Sequence, residues 1–434
     1  MGNPQKGLRI GKYRITPLGL ITLGVLFLII VAAVLLAIFN PFGGGDISRP
    51  KVTATATPDP NAPTESPTPS PSPSPTPEPE PRSATIRSLG EIAMQLNLLT
   101  SAVEENTFDF TDMFTYVSDI MGDADYTVAD VEGTLGGTVN ASGNTQTLIT
   151  PPSLIGVLQD CGVDMLTLAN DHALDGGFEE QQATVKNCVT AGMDYVGAAT
   201  SEEEKKTPVI KEINGIKVAF LAYTETLNVN PKSVDEKVIR YGVNLVTKSN
   251  AKADVAAAKA AGADVVVCYI SWGEMLNREL TKNQKLIAQV LVNANVDVIV
   301  GYGPHVVQPA YWLEAEKPGE DDTVHRTLVM CATGNFLSDQ RAQYSDSGVV
   351  FQFTIQETGS STGVFTITDP VYIPTYVWRA DGENGKYDFH TLAVGRWLND
   401  QPEGMAYADV TRMREVWAEI QTIMGTEVAT IAAE

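Results

Sequence analysis

Hydrophobic and polar positions divide the 434-residue chain into three regimes. Pro17 to Phe39, "PLGLITLGVLFLIIVAAVLLAIF", is apolar and carries no charge. Its roughly 23 residues, at about 1.5 Å each, are enough to cross a hydrocarbon core of about 30 Å. One transmembrane helix is expected there. From about residue 84 onward, short buried-strand patterns alternate with amphipathic helical ones. "VDMLTLAN" (163–170), "IKVAFLAY" (216–223), "ADVVVCYI" (263–270), "VDVIVGY" (296–302) and "TLVMCATGNF" (327–336) read as buried strands bounded by turn residues. "FEEQQATVKNCVTAG", "TKSNAKADVAAAKAAG" and "TKNQKLIAQVLVNAN" have polar starts and helical apolar spacing.

Strand and helix in alternation predict an α/β fold with a largely parallel sheet and helices packed on it. After Gly348 the pattern becomes β-rich in "GVVFQFTIQ" and "GVFTITDPVYIPTYVW", which predicts antiparallel strands completing the core. A last amphipathic helix near residues 408–424 is expected to pack on the outside. Between the apolar run and this region, "PKVTATATPDPNAPTESPTPSPSPSPTPEPEPR" (50–82) alternates Pro with Ser, Thr and Glu. Such a stretch cannot bury a core and favours polyproline II, the behaviour of a spacer. The expected divisions are therefore a basic tail (1–16), a transmembrane helix (17–39), an extracytoplasmic linker (40–83), one globular domain (84–400) and a helical C-terminal tail (401–434).

Charge sets the topology. Lys6, Arg9, Lys12 and Arg14 precede the apolar run and no basic residue follows it until Arg49, so the N-terminus is expected in the cytoplasm and the globular part outside. The formal net charge is −23, and without the four N-terminal basic residues the remainder carries −27. A surface that acidic argues against nucleic acid as a partner. The four cysteines, Cys161, Cys188, Cys268 and Cys331, are widely spaced in or beside apolar runs, which favours buried free thiols over a disulfide framework or a zinc site.

Polar residues gather where the predicted strands end, the place where open α/β sheets bind ligands. The stretches are "SLGEIAMQ" (88–95), "VADVEGTLGG" (128–137), "LANDHALDGG" (168–177), "YISWGEM" (269–275), "VGYGPHVVQP" (300–309) and "TGNFLSDQ" (333–340). Asp130 and Glu132 are two apart and point the same way on an extended strand, and a loop can bring Asn170 and His172 against them. Carboxylates crowded in this way must take up protons or be paired with cations, a conflict that a bound metal resolves. Asp175, before Gly176 and Gly177, fits a turn and helix cap as well as a site. Glu274 fits a site or a polar loop packed under Trp272, and His305 a site or a satisfied core histidine.

In this order the motifs resemble the CapA-type poly-gamma-glutamate capsule synthesis family, over nearly all of residues 84–378. "LANDHALDGG" is similar to that family's ANNHALDYG-like motif, "SWGEM" to its HWGxEY-like motif, "VGYGPHVVQP" to its GHHPHVVQP-like motif and "GNFLSDQ" to its GNFVFDQ-like motif. The resemblance implies a four-layer α/β/β/α sandwich of metallophosphoesterase type. It also implies a divalent metal in a cleft, with Glu91, Asp130, Glu132, Asn170, His172 and His305 as ligands and Asp171, Asp175, Trp272, Glu274 and Asn335 lining the cleft. Ser271 and Gly303 stand where the family carries histidines, so the expected site is oxygen-rich and suits Mn, Mg or Ca better than Zn. Two functions follow as expectations. One is metal-dependent hydrolysis of an amide or phosphoester in an anionic envelope polymer, with His172 or His305 as general acid or base. The other is a non-catalytic protein that holds the polymer or organises membrane synthase partners.

Overall fold

The computed structural model describes residues 80–431 apart from 106, 138–146, 231–233, 318–322, 360–361, 383–384 and 427, and also the strands at 8–10 and 13–15. The chain divides into two units, Met1–Pro75 and Thr76–Glu434. In the first, Leu8–Ile10 pairs antiparallel with Tyr13–Ile15. The expected transmembrane helix at 17–39 and nearly all of the expected linker lie outside the described residues. Among the described residues no helix is long and apolar enough to cross a membrane.

The second unit is a mixed α/β fold whose longer strands are β1 (Ser83–Ile92), β2 (Tyr126–Val131), β3 (Met165–Thr167), β4 (Asp194–Val196), β5 (Val209–Ile213), β6 (Ile216–Thr224) and β7 (Val265–Ser271). These are followed by β8 (Val298–Tyr302), β9 (Val307–Glu314), β10 (Arg326–Thr333), β11 (Asn335–Leu337), β12 (Ser347–Glu357), β13 (Phe365–Asp381) and β14 (Tyr387–Ala393). One sheet has the order β14-β13-β12-β1-β2-β3-β4, with β11 paired to β1, and the other the order β9-β10-β8-β7-β6-β5. β1 to β4 run parallel, as do β6, β7, β8 and β10, whereas β12, β13 and β14 pair antiparallel. The antiparallel completion expected after Gly348 is therefore present, and it extends the first sheet through β12 against β1.

Alternation along the strands sorts side chains into layers. Ile86, Val128 and Met165 of the first sheet share one core with Val218, Phe220, Val267 and Val300 of the second. On the first sheet's other face, Leu89, Ala129 and Leu166 pack against α1 (Ser153–Asp160) and α2 (Gly177–Ala191). On the second sheet's other face, Val266, Cys268 and Ile299 pack against α3 (Lys248–Ala260) and α4 (Lys282–Val292). Both α3 and α4 begin in capping boxes, Thr247 with Asn250 and Thr281 with Gln284, which satisfy the first free backbone N–H groups.

The last helix departs from expectation. α5 (Tyr407–Met424) carries Val410, Met413, Val416, Ile420 and Met424 on one stripe, and Met413, Val416 and Ile420 join the core between the sheets. It packs against β9 and β13, so it closes one edge of the sandwich instead of lying on an outer face.

Candidate metal centre

The parallel register sets the centre of the site. Glu91 on β1 lies opposite Asp130 on β2, Asp130 lies opposite Thr167 on β3, and Asn335 on β11 lies on the other side of Glu91. Four adjacent strands thus bring a carboxylate pair, a hydroxyl and an amide to one level near their carboxyl ends. Glu132 follows immediately after β2. His305 arrives from the second sheet, in the turn between β8 and β9.

That turn is cramped. His305 has a φ of 58°, a left-handed conformation that is uncommon for a residue with a side chain. Gly303 has a φ of 105°, and a Cβ there would lie 2.7 Å from the Trp272 carbonyl oxygen. The backbone N–H of His305 donates to Glu91 Oε1 at 3.3 Å. Its Nδ1 lies 2.7 Å from Glu91 Oε2, off the axis of a hydrogen bond, and 3.3 Å from Asn335 Oδ1. Its Nε2 lies 3.9 Å from Glu132 Oε2.

Glu91, Asp130, Glu132 and His305 are all buried. Thr167 Oγ1 donates to Asp130 Oδ1 at 2.5 Å. Glu91 Oε2, Asp130 Oδ2 and both carboxylate oxygens of Glu132 have no hydrogen-bond donor. Burial, together with the charges of Glu91 and Asp171, pushes the Asp130 carboxyl up to about 8 against the Thr167 hydrogen bond. Burial likewise pushes Glu132 well above the carboxylate range, opposed by His305 and reinforced by Glu91. Glu91 also suffers from burial, but the neighbouring imidazolium outweighs it and holds this carboxyl below its ordinary value. For His305, burial disfavours the charge, and Glu91 and Glu132 more than restore it, raising the imidazole to about 10.

Orphaned, buried carboxylate oxygens beside an imidazole are the donor set of a cation site. Glu91, Glu132 and His305 each offer one ligand atom, and these atoms lie within 4.8 Å of one another. Asp130 Oδ2 adds a further buried oxygen without a partner. Mostly carboxylate, with a single imidazole, the set suits a hard divalent cation better than zinc.

The site opens into a cleft of about 520 Å³ lined by Glu132, His305, Asp171, His172 and Asp175. Asp175 Oδ2 accepts from the Leu148 backbone N–H at 2.7 Å and lies 2.6 Å from His172 Nδ1. A carboxylate only accepts, so Asp175 favours a proton on Nδ1 of a neutral His172, which leaves Nε2 basic, whereas the Asn228 amide nitrogen, 3.0 Å from the same Nδ1, favours the opposite tautomer unless that amide is turned round.

Other expected residues take different places. The side chain of Asn170 donates to the Val131 carbonyl at 3.0 Å and accepts from the Gly133 N–H at 3.2 Å, so it shapes the turn that carries Glu132. Asn335 donates to the Ser345 carbonyl at 2.7 Å while its oxygen faces His305. Trp272 and Glu274 do not line the cleft. The Trp272 indole is buried in the outer core of the second sheet and donates to the Cys331 carbonyl at 2.7 Å, which makes it a packing residue. Glu274 is exposed and lines a separate surface depression with Asn277 and Lys282, because the turn at Gly273 carries it outward. Sequence reasoning missed Thr167, Tyr302, Gln95, Asn228 and Gln340. Tyr302, whose buried hydroxyl has no partner, sits inside an apolar run that gives no sign of chemistry. The other four reach the site or its cleft only through folding.

Known proteins bear on this geometry. The profile of the family described as "Bacterial capsule synthesis protein PGA_cap" matches residues 85–340, which span Glu91, Asp130, Glu132, His172, His305 and Asn335. The chain is 28% identical over 206 residues to "Capsule biosynthesis protein CapA" of Bacillus anthracis, covering 47% of each chain. It is 27% identical over 259 residues to "PGA biosynthesis protein CapA" of Bacillus subtilis (strain 168), covering 59% of this chain and 64% of that one. It therefore spans less than two thirds of either relative's length. Among solved structures, a calcineurin-like phosphoesterase, YfkN from Bacillus subtilis, shows a distant likeness, with a TM-score of 0.41 and 14% identity over 79% of this chain and 99% of that one. On the extent of the profile match and the two relatives, this chain belongs to the bacterial capsule synthesis protein family.

Proposed function

We propose that the chain is a membrane-anchored, extracytoplasmic protein acting in the synthesis, release or processing of an anionic envelope polymer, of the poly-gamma-glutamate kind, by cation-dependent hydrolysis. The observation that carries this reading is the set of four orphaned carboxylate oxygens beside His305, at the base of a cleft whose wall presents His172. The apolar run at 17–39 would supply the anchor and the Pro-rich stretch the spacer. The fold is read as the metallophosphoesterase type of sandwich, and the scissile bond as an amide or phosphoester.

A divalent cation held by Glu91, Glu132, His305 and Asp130 would supply Lewis acidity and offset the crowded negative charge. The chain's own groups then divide the remaining work. With its proton held on Nδ1 by Asp175 and the Asn228 amide turned to accept, His172 would have Nε2 free to take a proton from a nucleophilic water. As a ligand His305 must be neutral, so a bound cation would take the place of the proton that Glu91 and Glu132 otherwise favour on this imidazole. Asn335 orients His305.

A second reading, a non-catalytic polymer-binding or synthase-organising protein, draws support from Ser271 and Gly303, where the family pattern carries imidazoles. The test begins with the purified full chain in detergent. Manganese is expected to raise its melting temperature after chelator treatment, and His172→Ala is expected to keep that rise while losing turnover of poly-gamma-glutamate or a model phosphodiester. A rise without turnover in either protein favours the second reading. Absence of any rise removes the metal centre from both.

A further inference from the structure

Away from the metal centre, the sandwich has a second opening where the chain crosses from one sheet to the other. β4 is the edge strand of the first sheet and β5 that of the second, and the short helix Glu202–Lys206 bridges them. Between these edges and α3 lies a cavity of about 420 Å³. That volume falls in the range of small-molecule sites, which pair apolar walls with a few fixed polar groups.

Phe220, Leu221 and Ala199 belong to the apolar wall, and Lys205, Asp254 and Asn244 supply polar groups. Lys205 is half-buried and lies within electrostatic reach of Asp254, yet the two form no ion pair. Asp254 Oδ2 accepts from the buried Tyr223 hydroxyl at 2.7 Å, which fixes the carboxylate in place. Asn244 Oδ1 is buried without a donor. By contrast, Lys211 at the same wall is paired with Asp194 at 2.5 Å and Lys206 is exposed beside Glu202, so neither competes for this role.

The Lys205 ammonium and the fixed Asp254 carboxylate, within electrostatic reach of each other at an apolar wall, complement a molecule that carries a carboxylate, an ammonium and an aliphatic body. We infer that the cavity between β4, β5 and α3 binds a free aliphatic α-amino acid, its carboxylate on Lys205 and its ammonium on Asp254. No covalent step is involved, and the site is separate from the metal centre.

The test uses the full chain and L-leucine, with isocaproate and isoamylamine as analogues that lack the ammonium and the carboxylate respectively. Leucine is expected to raise the melting temperature in a saturable way, and each analogue to bind at least about tenfold more weakly, because one buried polar partner is left unpaired. Lys205→Met should abolish the leucine shift, and the near-isosteric Asp254→Asn should weaken binding by about tenfold. Both variants should retain the manganese response of the parent, which shows that they are folded. The proposal is overturned if aliphatic amino acids at about 10 mM leave the melting temperature unchanged, or if folded Lys205→Met responds to leucine as the parent does.

Discussion

Glu132 has both carboxylate oxygens buried with no donor, an arrangement that no folded chain holds without a proton or a cation. In a chelator, replacing it with Gln removes a charge that burial disfavours, so Glu132→Gln is expected to be as stable as the parent or more so, by up to about 2 kcal/mol. With manganese present the order should reverse, because the variant has lost a ligand. Melting curves of both proteins with and without the cation measure this crossing, and parallel shifts would remove Glu132 from the centre. Gly303 gives the opposite lesson. Its left-handed backbone and the carbonyl of Trp272 leave no room for a Cβ, so Gly303→His is expected to cost about 2 kcal/mol or more without improving cation affinity. Equilibrium unfolding in urea checks the cost, and a manganese titration the affinity. Sequence patterning shows that an imidazole is missing at this position. It cannot show that the turn has been rebuilt around the loss, because φ at Gly303 is set by contacts with Trp272, some thirty residues earlier in the chain.

At the scale of elements, the buried strands were largely legible. "IKVAFLAY", "ADVVVCYI" and "VDVIVGY" correspond closely to β6, β7 and β8, and the three helical segments to α2, α3 and α4. "VDMLTLAN" yielded only three strand residues, Met165–Thr167, because the chain leaves the sheet at Leu168 to enter the cleft. A short apolar run looks the same whether it is a strand or a buried loop. Periodicity also shows that a strand is buried, not which sheet it joins, so the division into two sheets lay beyond what the pattern alone shows. The role of α5 was hidden for a similar reason, and the family match ends at residue 340, before it. From α5, Arg412 donates to both oxygens of Asp346 at 2.8 and 3.0 Å, and the neighbouring Ser345 carbonyl accepts from Asn335, whose oxygen faces His305. Arg412→Ala is therefore expected to lose about 1–2 kcal/mol of stability and to weaken the manganese response. If the unfolding midpoint falls and the titration does not change, α5 is packing alone and has no hold on the site.

Across the whole molecule, the start of the folded unit is tied down at the end remote from the cleft. Arg82 Nε and Nη2 each donate to Glu357 at 3.0 Å, and the Gly363 N–H adds a third donor at 2.9 Å, which joins the entry to β1 with the end of β12. The hydrogen bonds from Arg82 and Gly363 outweigh burial and hold the Glu357 carboxyl down at about 2. An unfolded glutamate titrates at about 4.3. The native state therefore binds fewer protons here than the unfolded one, so the contribution is fully present above about pH 4.3 and is lost as pH falls through about 2. Glu357→Gln should accordingly unfold at lower urea than the parent at pH 6, and the gap should narrow at pH 2.5; a constant gap would mean that the pair's charge does not matter. This clasp lies where the expected spacer ends. If residues 50–82 are a Pro-rich stalk outside the cell, broad-specificity protease added to intact protoplasts should cut upstream of Arg82 and release a folded fragment. That fragment should keep the manganese response, because every residue of the proposed centre lies after the clasp. It should also keep Cys188, Cys268 and Cys331 unreactive towards maleimide until denatured, since all three are buried free thiols. Protection of the stalk in intact protoplasts and its cleavage only after lysis would place the domain on the other side of the membrane.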